Sequence, residues 1–365
     1  MLDPLISNTG YGNVRVVAVG CDTLALTYRV SGYAEWISRR IREFQEAKLA
    51  SQDGGVVDVG IGDWRLRMEP FGAPHYSFRL ACDSFSVFLS SRDFGVYPPL
   101  MVWGKSESLW NVGAAGLVKV ARSFVEQGIG KILEEKVSRV DLTFDFSGWE
   151  PTFEDVRRIV SRAVNRSLFW VGERLAGVSL GAGHRLYARL YDKTLEILRS
   201  GKRWMHQVWA EGGWDGLGSV WRLEFECKRD FLREFQVEGF DDFVSAYPDI
   251  CDYLFGDWVR LETEEGGVHP VWLQLNAAVR GDRVGLVRGI RTRRVAKERY
   301  VYGILGYLTS YAAAVGILEM DRAWEAVAVE MKRYLNRKGE TFEGRVLRKR
   351  YPGALAEMGK KGPFI

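Results

Sequence analysis

Three short segments of the chain carry the acidic, basic and phenolic side chains that phosphoryl transfer requires. They are RVDLTFDF at residues 139–146, RLYARLYDK at 185–193 and WRLEFE at 221–226. In such a reaction a divalent ion held by carboxylates polarises the phosphodiester, and a tyrosine hydroxyl attacks phosphorus to form a covalent intermediate. Arginine or lysine stabilises the charge that develops on the phosphate oxygens. A tyrosine titrates near pH ~10, so it needs a nearby cation to attack at neutral pH.

Each segment alternates polar and apolar residues, which predicts a β-strand with one face in a core. In the first segment Val140, Leu142, Phe144 and Phe146 share the apolar face. If the three strands lie in one sheet, their polar side chains share the other face. These polar side chains are Arg139, Asp141, Thr143, Asp145, Arg185, Tyr187, Arg189, Tyr191, Lys193, Arg222, Glu224 and Glu226.

The alternation alone leaves a simpler interpretation open. Asp141 and Asp145 lie about 13 Å apart along a strand, so they do not automatically share a metal ion. An antiparallel sheet often has one solvated face with arginine–carboxylate pairs between strands. On this interpretation Asp145 pairs with Arg189 or Arg222, and the tyrosines are ordinary strand residues.

The ordered set of segments resembles the replication initiation factor family, which contains rolling-circle plasmid initiators and relaxases of mobile elements. Members of that family show an Arg-x-Asp strand, a Tyr-Asp/Asn-Lys-x-x-Glu segment and an Arg-x-Glu strand. The matching motifs here are RVD at 139–141, YDKTLE at 191–196 and RLE at 222–224. The segment SESLW at 106–110 is also similar to a family element, and the resemblance covers roughly residues 20–235.

The resemblance implies a metal-dependent, strand-specific nick at a DNA origin. A tyrosine becomes joined to the 5′ phosphate, and a 3′ hydroxyl is left to prime synthesis. Tyr191 is the implied nucleophile and Tyr187 the alternative, four residues earlier on the same face. Lys193 and Arg222 are the cations expected at the phosphate.

The same resemblance implies that Asp141 and Glu224 are metal ligands, with Asp145 as the third. The expected cofactor is Mg²⁺ or Mn²⁺, because these ions prefer carboxylate oxygens. The sequence offers no alternative set of ligands, since its histidines and cysteines are scattered without metal-binding spacing. They are His75, His184, His206, His269, Cys21, Cys82, Cys227 and Cys251.

The order of strand-like and helical segments predicts an α+β fold, a mainly antiparallel sheet with packed helices, followed by a helical C-terminal region. We expect a nicking domain over residues 1–262 and a basic, mainly helical DNA-binding region over 263–365. The apolar run 300–318 is diluted by glycine and tyrosine, so we interpret it as a buried helix rather than a membrane span. The cysteines indicate reduced thiols in a cytoplasmic protein.

Positive charge is concentrated toward the C-terminal end of the chain. Residues 281–365 hold 18 basic and 9 acidic residues, although the whole chain has a net charge of only +4. Such asymmetry indicates a polyanion-binding end, and we expect its basic stripe to contact DNA phosphates. The predicted contacts are Arg288, Arg291, Arg293, Arg294, Lys297 and Arg299, with a second cluster at Arg345, Arg348, Lys349 and Arg350.

Three classes of function remain open at this stage. The first is a nicking enzyme that acts through a tyrosine on single-stranded or cruciform origin DNA, with a helicase and a second copy of the chain as further partners and no membrane partner. The second is a non-catalytic origin-binding protein of the same fold. The third is a metal-dependent nuclease that uses water as its nucleophile.

Overall fold

The fold is α+β and is dominated by one antiparallel sheet, which confirms the predicted class. The computed structural model describes residues 14–281, 295–343 and 345 of the chain. Within these residues the large sheet has eleven strands in the order β2-β3-β4-β5-β6-β1-β7-β12-β11-β10-β9, and β8 and β13 form a separate pair.

The strands are short except for β1 and β7, which run side by side through the middle of the sheet. Their bounds are β1 Arg15–Val30, β2 Asp58–Ile61, β3 Trp64–Met68, β4 Phe78–Ala81, β5 Phe85–Leu89, β6 Leu100–Gly104, β7 Ile132–Ser147, β8 Ile159–Ser161, β9 Arg166–Val171, β10 Arg174–Leu180, β11 Leu186–Asp192, β12 Trp221–Lys228 and β13 Val259–Leu261.

The helices lie between and after these strands. Their bounds are α1 Tyr33–Gln52, α2 Ser106–Gly128, α3 Phe153–Arg157, α4 Lys193–Ser200, α5 Met205–Glu211, α6 Arg229–Glu234, α7 Phe240–Asp252, α8 Pro270–Gly281, α9 Val295–Val315 and α10 Met320–Arg337, with a π-helical turn at Tyr253–Trp258.

One face of the sheet carries the main hydrophobic core, as the alternation predicts. Phe144 of β7 and Phe225 of β12 are buried there and pack against Phe255 of the π-helical turn. Helices α1, α2, α6, α7 and α8 contribute apolar side chains to the same core. Burying this face is the main stabilising contribution, at about 25 cal/mol per Å² of apolar surface removed from water.

The opposite side of the sheet is called the outer face here, and it carries Arg79, Trp103 and Asp141. A smaller apolar cluster covers one end of it, where α5 and the first turns of α2 contact β1 and β12. The cluster consists of Val17, Trp110, Ile197, Met205, Val208, Trp209 and Val220.

Two local features do not follow from the sequence pattern. Thr152 caps a helix with Asp155 in a reciprocal capping box, but the helix ends at Arg157, although the helical apolar spacing continues to Val164. The chain enters β8 two residues later and pairs with β13, so tertiary pairing overrides the helical periodicity. The β9–β10 hairpin, which extends the sheet beyond β11, was not predicted from the sequence.

The chain divides into two compact units between Thr292 and Arg293, rather than at residue 262. Helix α8 therefore belongs to the first unit, where its Val271 and Trp272 join the main core. The described part of the second unit is the helix pair α9 and α10.

The apolar run 300–318 forms most of α9, but the prediction that this helix is buried is wrong. Val301 is 56% exposed and Tyr307 is 83% exposed, whereas Leu308 is buried. Among the helices of the described residues, none combines the length and the apolar character that a membrane crossing requires.

Candidate active site

The three segments singled out in the sequence are neighbouring strands, in the order β7, β12, β11. Because all three are antiparallel, their residues align in rows across the outer face. The rows are Asp141–Glu226–Tyr187, Thr143–Glu224–Arg189 and Asp145–Arg222–Tyr191. The fold thus brings the predicted acids, cations and tyrosines onto one surface.

This part of the outer face is buried, although its residues are polar. Asp141 is 2% exposed, Glu224 is 4% exposed, and Asp145 and Arg222 are both 0% exposed. Buried charges are costly unless they are paired and hydrogen-bonded. The simpler interpretation of a solvated polar face therefore does not describe this region, although its arginine–carboxylate pairs are present.

Tyr191 contacts both an acidic and a basic side chain. Its hydroxyl donates to Oε2 of Glu224 at 2.8 Å, and the Lys193 amine lies 3.4 Å from the same hydroxyl. The residue keeps intermediate exposure. Burial of the phenol, together with the negative charge of Glu224, raises the pKa of Tyr191 well above its ordinary value.

Lys193 is the first residue of α4, and its side chain folds back toward Tyr191 at the end of β11. Its side chain is 2% exposed and forms an ion pair with Glu196 at 2.5 Å. Burial and the positive charge of Arg222 lower the pKa of Lys193, while Asp22 and Glu196 oppose this effect. Asp192, the preceding residue, caps α4 by accepting a hydrogen bond from the Leu195 amide.

Asp145 does not fit its predicted role as a metal ligand. Its two oxygens accept hydrogen bonds from Arg222 at 2.6 and 2.8 Å, and one of them also accepts from the Trp209 indole at 2.7 Å. Because the carboxylate is fully buried and fully engaged, a metal ion would have to displace an internal ion pair. Asp145 instead fixes the position of Arg222.

Arg222 also differs from its expected role at the phosphate. Its guanidinium lies between Asp145 and Asp22, with an ion-pair distance of 3.1 Å to the latter, and it has no exposed surface. It stacks over Trp110, with 5.8 Å between the guanidinium carbon and the ring centroid. Arg222 is thus an internal cation on the strand next to Tyr191, in register with it. Arg189, which is 35% exposed, is the arginine that a phosphate could reach.

Asp22 is a site residue that the sequence analysis missed. It accepts hydrogen bonds from the Ser106 hydroxyl at 2.6 Å and from the Trp110 indole at 3.1 Å, and Lys202 lies 3.4 Å from its other oxygen. Although burial alone would raise its pKa, Arg222, Lys202 and Lys193 hold it well below the usual range. The SESLW segment, noted for its resemblance, thus supplies both neutral hydrogen bonds to this carboxylate.

Asp141 lies at the more open end of the same face. Arg139 donates to both of its oxygens, at 2.8 and 2.7 Å, and also forms an ion pair with Glu226 at 2.9 Å. Burial raises the pKa of Asp141 to about 6, with a further contribution from the charge of Glu224, against the lowering effect of Arg139. Negative charge at this position is therefore incompletely compensated by the protein.

The residues left to hold a metal ion are Asp141 and Glu224, which are diagonal neighbours on adjacent strands. Their oxygens suit Mg²⁺ or Mn²⁺. An ion would compete with Arg139 at Asp141 and with Arg189 at Glu224, and both arginines are partly exposed. In the part of the chain that the structure describes, no group of three or more His, Cys, Asp or Glu residues is arranged to hold a metal ion.

Tyr187 differs from Tyr191 in its surroundings. It lies opposite Glu226, and its ring is covered by the Arg189 guanidinium at 5.2 Å. The Tyr187 hydroxyl makes no hydrogen bond to another described residue. The geometry therefore gives Tyr191, and not Tyr187, a proton acceptor.

Most of the predicted DNA-binding stripe lies outside the described residues. This applies to Arg288, Arg291, Arg293 and Arg294, and also to Arg348, Lys349 and Arg350 of the second cluster. Lys297 and Arg299 lie in α9. Arg345 is described, and it forms an ion pair with Glu340 at 2.7 Å.

Comparisons with known proteins do not add a relative. No protein-family model matches the chain, and no curated protein matches it. The geometry of the β7, β12 and β11 strands therefore carries the functional argument.

Proposed function

We propose that this chain is a DNA-nicking enzyme, a replication initiator or relaxase in which Tyr191 attacks a phosphodiester. The observation that carries the proposal is the placement of the Tyr191 hydroxyl, 2.8 Å from a buried carboxylate and 3.4 Å from a buried lysine. A nucleophile within hydrogen-bond reach of a base, with a cation beside it, is the arrangement that covalent catalysis requires. The order of motifs along the chain agrees with this function.

In the proposed reaction Glu224 takes the proton of the Tyr191 hydroxyl as the phenolate oxygen bonds to phosphorus. The bond between phosphorus and the 3′ oxygen breaks, and the proton returns to that oxygen. The products are a 5′-phosphotyrosine link and a free 3′ hydroxyl. Lys193 stabilises the phenolate, and Arg189 binds the phosphate oxygens on which charge develops.

A divalent ion, Mg²⁺ or Mn²⁺, is part of the proposal, with Asp141 and Glu224 as the residues that would hold it. When bound, such an ion would polarise the phosphodiester. Binding can be measured without catalysis, by titrating Mn²⁺ into the protein and following its paramagnetic resonance signal. We expect Asp141→Asn to weaken Mn²⁺ binding by about tenfold or more, and equal affinity in the two proteins would remove the metal from the proposal.

The decisive experiment is detection of a covalent DNA–protein adduct that survives denaturation. We expect Tyr191→Phe to reduce adduct formation by about a thousandfold or more, because it removes the nucleophile. Tyr187→Phe is the matched control on the same strand, and it should retain most of the activity. Mass spectrometry of the DNA-linked peptide then identifies the tyrosine directly, and a link at Tyr187 would contradict the assignment.

Removing the proposed base gives a second, smaller loss. We expect Glu224→Gln to lower the rate of adduct formation by about 10²–10⁴-fold, the usual range for a general base. The control is Glu226→Gln, on the same strand and the same face. Full activity of Glu224→Gln would show that Glu224 does not take the proton.

One observation favours a non-catalytic origin-binding protein as the second candidate. Each carboxylate of the site is held by an arginine, Asp141 by Arg139 and Glu224 by Arg189. Such pairing also suits a face that only stabilises the fold. Origin DNA that is bound tightly but never cleaved or linked, with either ion present, would establish this alternative. In both cases the partner is origin DNA in the cytoplasm; a helicase and a second copy of the chain remain partners to be tested.

A further inference from the structure

The outer face continues beyond the candidate active site, across strands β6, β5, β4 and β3. Three arginines of this region, Arg65, Arg67 and Arg79, are exposed on it. Among the described residues, none of the three forms an ion pair with a carboxylate. This differs from the candidate active site, where Arg139, Arg189 and Arg222 are all paired.

Two aromatic rings lie on the same face, between these arginines and the site. Phe88 of β5, which is only 8% exposed, and Trp103 of β6, which has intermediate exposure, have ring centroids 6.4 Å apart. The Arg79 guanidinium lies 5.4 Å from the Phe88 ring, and the Arg139 guanidinium lies 5.3 Å from the Trp103 ring. From β4 to β7 the two adjacent rings therefore lie between two arginines, Arg79 and Arg139.

Arg139 connects this strip to the candidate active site. The same guanidinium that covers Trp103 donates to both oxygens of Asp141. From β4 to β7 the strip crosses four strand spacings, a distance of about 19 Å. We call the residues Arg65, Arg67, Arg79, Phe88, Trp103 and Arg139 the arginine–aromatic strip.

The helices that pack on these strands do so on the core face. Phe44 of α1 packs on Phe78, and Phe124 of α2 packs on Phe85, and all four of these side chains belong to the main core. The strip is therefore not part of the packing that holds α1 and α2 against the sheet.

We propose that the arginine–aromatic strip is the surface along which single-stranded DNA reaches Tyr191. The unpaired arginines suit the phosphates of a polyanion, and the partly exposed Trp103 ring suits an unstacked base, which a duplex does not present. The choice of DNA rests on the proposed nicking function. The strip is independent of the basic C-terminal stripe predicted from the sequence.

The test measures binding of a fluorescein-labelled oligothymidine of about 20 nucleotides, longer than the about 4–16 nucleotides that one such site covers. The protein carries Tyr191→Phe, so that cleavage does not interfere. Binding is followed by fluorescence anisotropy over a series of salt concentrations. The strip variant adds Arg65→Gln, Arg67→Gln and Arg79→Gln.

The matched control removes three exposed arginines from helices on the core side of the sheet, with Arg39→Gln, Arg42→Gln and Arg233→Gln. We expect the strip variant to weaken binding by about tenfold or more at low salt. The slope of log affinity against log salt should fall by about 2, since each lost phosphate contact contributes about 0.7. The control should keep the slope of the parent protein, and equal losses in both variants would overturn the proposal.

The stacking contribution is tested separately with Trp103→Leu, after thermal unfolding has shown that this variant is folded. We expect single-strand affinity to fall by about fivefold or more, with little change in affinity for a duplex of the same length. Unchanged single-strand affinity would exclude Trp103 from the binding surface.

Failure of this inference can be distinguished from failure of the proposed function. If the strip variant binds the oligonucleotide like its parent, the strip is excluded, whereas adduct formation by Tyr191 is unaffected by that result. If the strip binds single-stranded DNA but the wild-type protein never forms an adduct, the nicking function fails and the binding surface stands. If the parent protein does not bind the oligonucleotide, the inference is overturned.

Discussion

Two regions of one sheet face have the same sequence pattern but opposite surroundings. In β3 the alternation places Arg65 and Arg67 on the outer face, where both are exposed. In β12 the same alternation places Arg222 and Glu224 on that face, where they are 0% and 4% exposed. The pattern thus sets the face on which a side chain lies, but not whether water reaches it.

What differs is the structure that covers each region. The first turns of α2, together with α4 and α5, lie over the end of β1, β7 and β12, and their apolar residues form the smaller cluster there. Charges beneath this cover must pair with one another, because water cannot solvate them. Charges on β3 and β4 are solvated and remain available to a partner.

The largest expected effect on stability comes from removing the buried arginine. Arg222→Met leaves Asp145 buried without its cation, and leaves Asp22 with Lys202 as its ion-pair partner, which should reduce the free energy of unfolding by about 3–5 kcal/mol. The matched change in the open region is Arg67→Met, and it should stay within about 0.5 kcal/mol of the wild type. Chemical denaturation of the three proteins measures both values.

Equal stability of the Arg222→Met protein and the wild type would show that these carboxylates are not desolvated. A double variant sharpens the test, because Asp145→Asn in the Arg222→Met background removes the buried charge that has lost its partner. We expect it to restore part of the lost stability.

The next effect concerns pH and Asp141. Its pKa in the folded protein is raised to about 6, above the value of about 3.9 expected in the unfolded chain. The folded state therefore binds the proton more tightly. The stabilising contribution is fully present below about pH 4 and is lost as the pH rises through about 6, with an upper limit of about 3 kcal/mol.

Asp141→Asn removes this titration, so its stability relative to the wild type should increase between pH 4 and pH 7. Denaturation curves at these two pH values measure the change. A difference between the two proteins that does not vary with pH would contradict the raised pKa. Added Mg²⁺ should stabilise the wild type more than Asp141→Asn at pH 7, because the variant lacks one of the two carboxylates proposed to hold the ion.

The smallest effect comes from a glycine beside Tyr191, the proposed nucleophile. A Cβ at Gly177 would lie 2.8 Å from the Cβ of Tyr191, whereas a Cβ at Gly60 of β2 would meet nothing within 4 Å. Gly177→Ala should therefore shift Tyr191 and lower adduct formation by about tenfold to a hundredfold. Gly60→Ala should leave the rate unchanged, and equal rates in both variants would show that the position of Tyr191 tolerates this shift.

Much of the fold could be predicted from local patterns. The strict alternation of RVDLTFDF identified both faces of β7, and Phe144 and Phe146 are buried in the core as expected. The sequence did not establish that these three strands are neighbours, because strand pairing depends on contacts between distant parts of the chain. The sequence left two possible arginine partners for Asp145, and Arg222 is the one with which it pairs.

Asp22 could not be found from the sequence, because nothing near it signals a role. It is a single acid at an irregularity of β1, and its partners Ser106, Trp110 and Lys202 are 84, 88 and 180 residues away along the chain. The burial predicted for α9 failed for a related reason. An apolar run indicates a surface that avoids water but does not identify what covers it.

Helix α2 joins the two sides of the sheet. It breaks at Gly113, whose φ of 74° and ψ of 162° favour glycine. Before the break, Ser106 and Trp110 donate hydrogen bonds to Asp22. After the break, Leu117 and Phe124 pack in the main core. A chain that has not yet assembled its core therefore cannot hold the Asp22 carboxylate in place. If Tyr191 is the nucleophile, as proposed, its surroundings are complete only when folding is complete, and a partly folded molecule would not cut DNA.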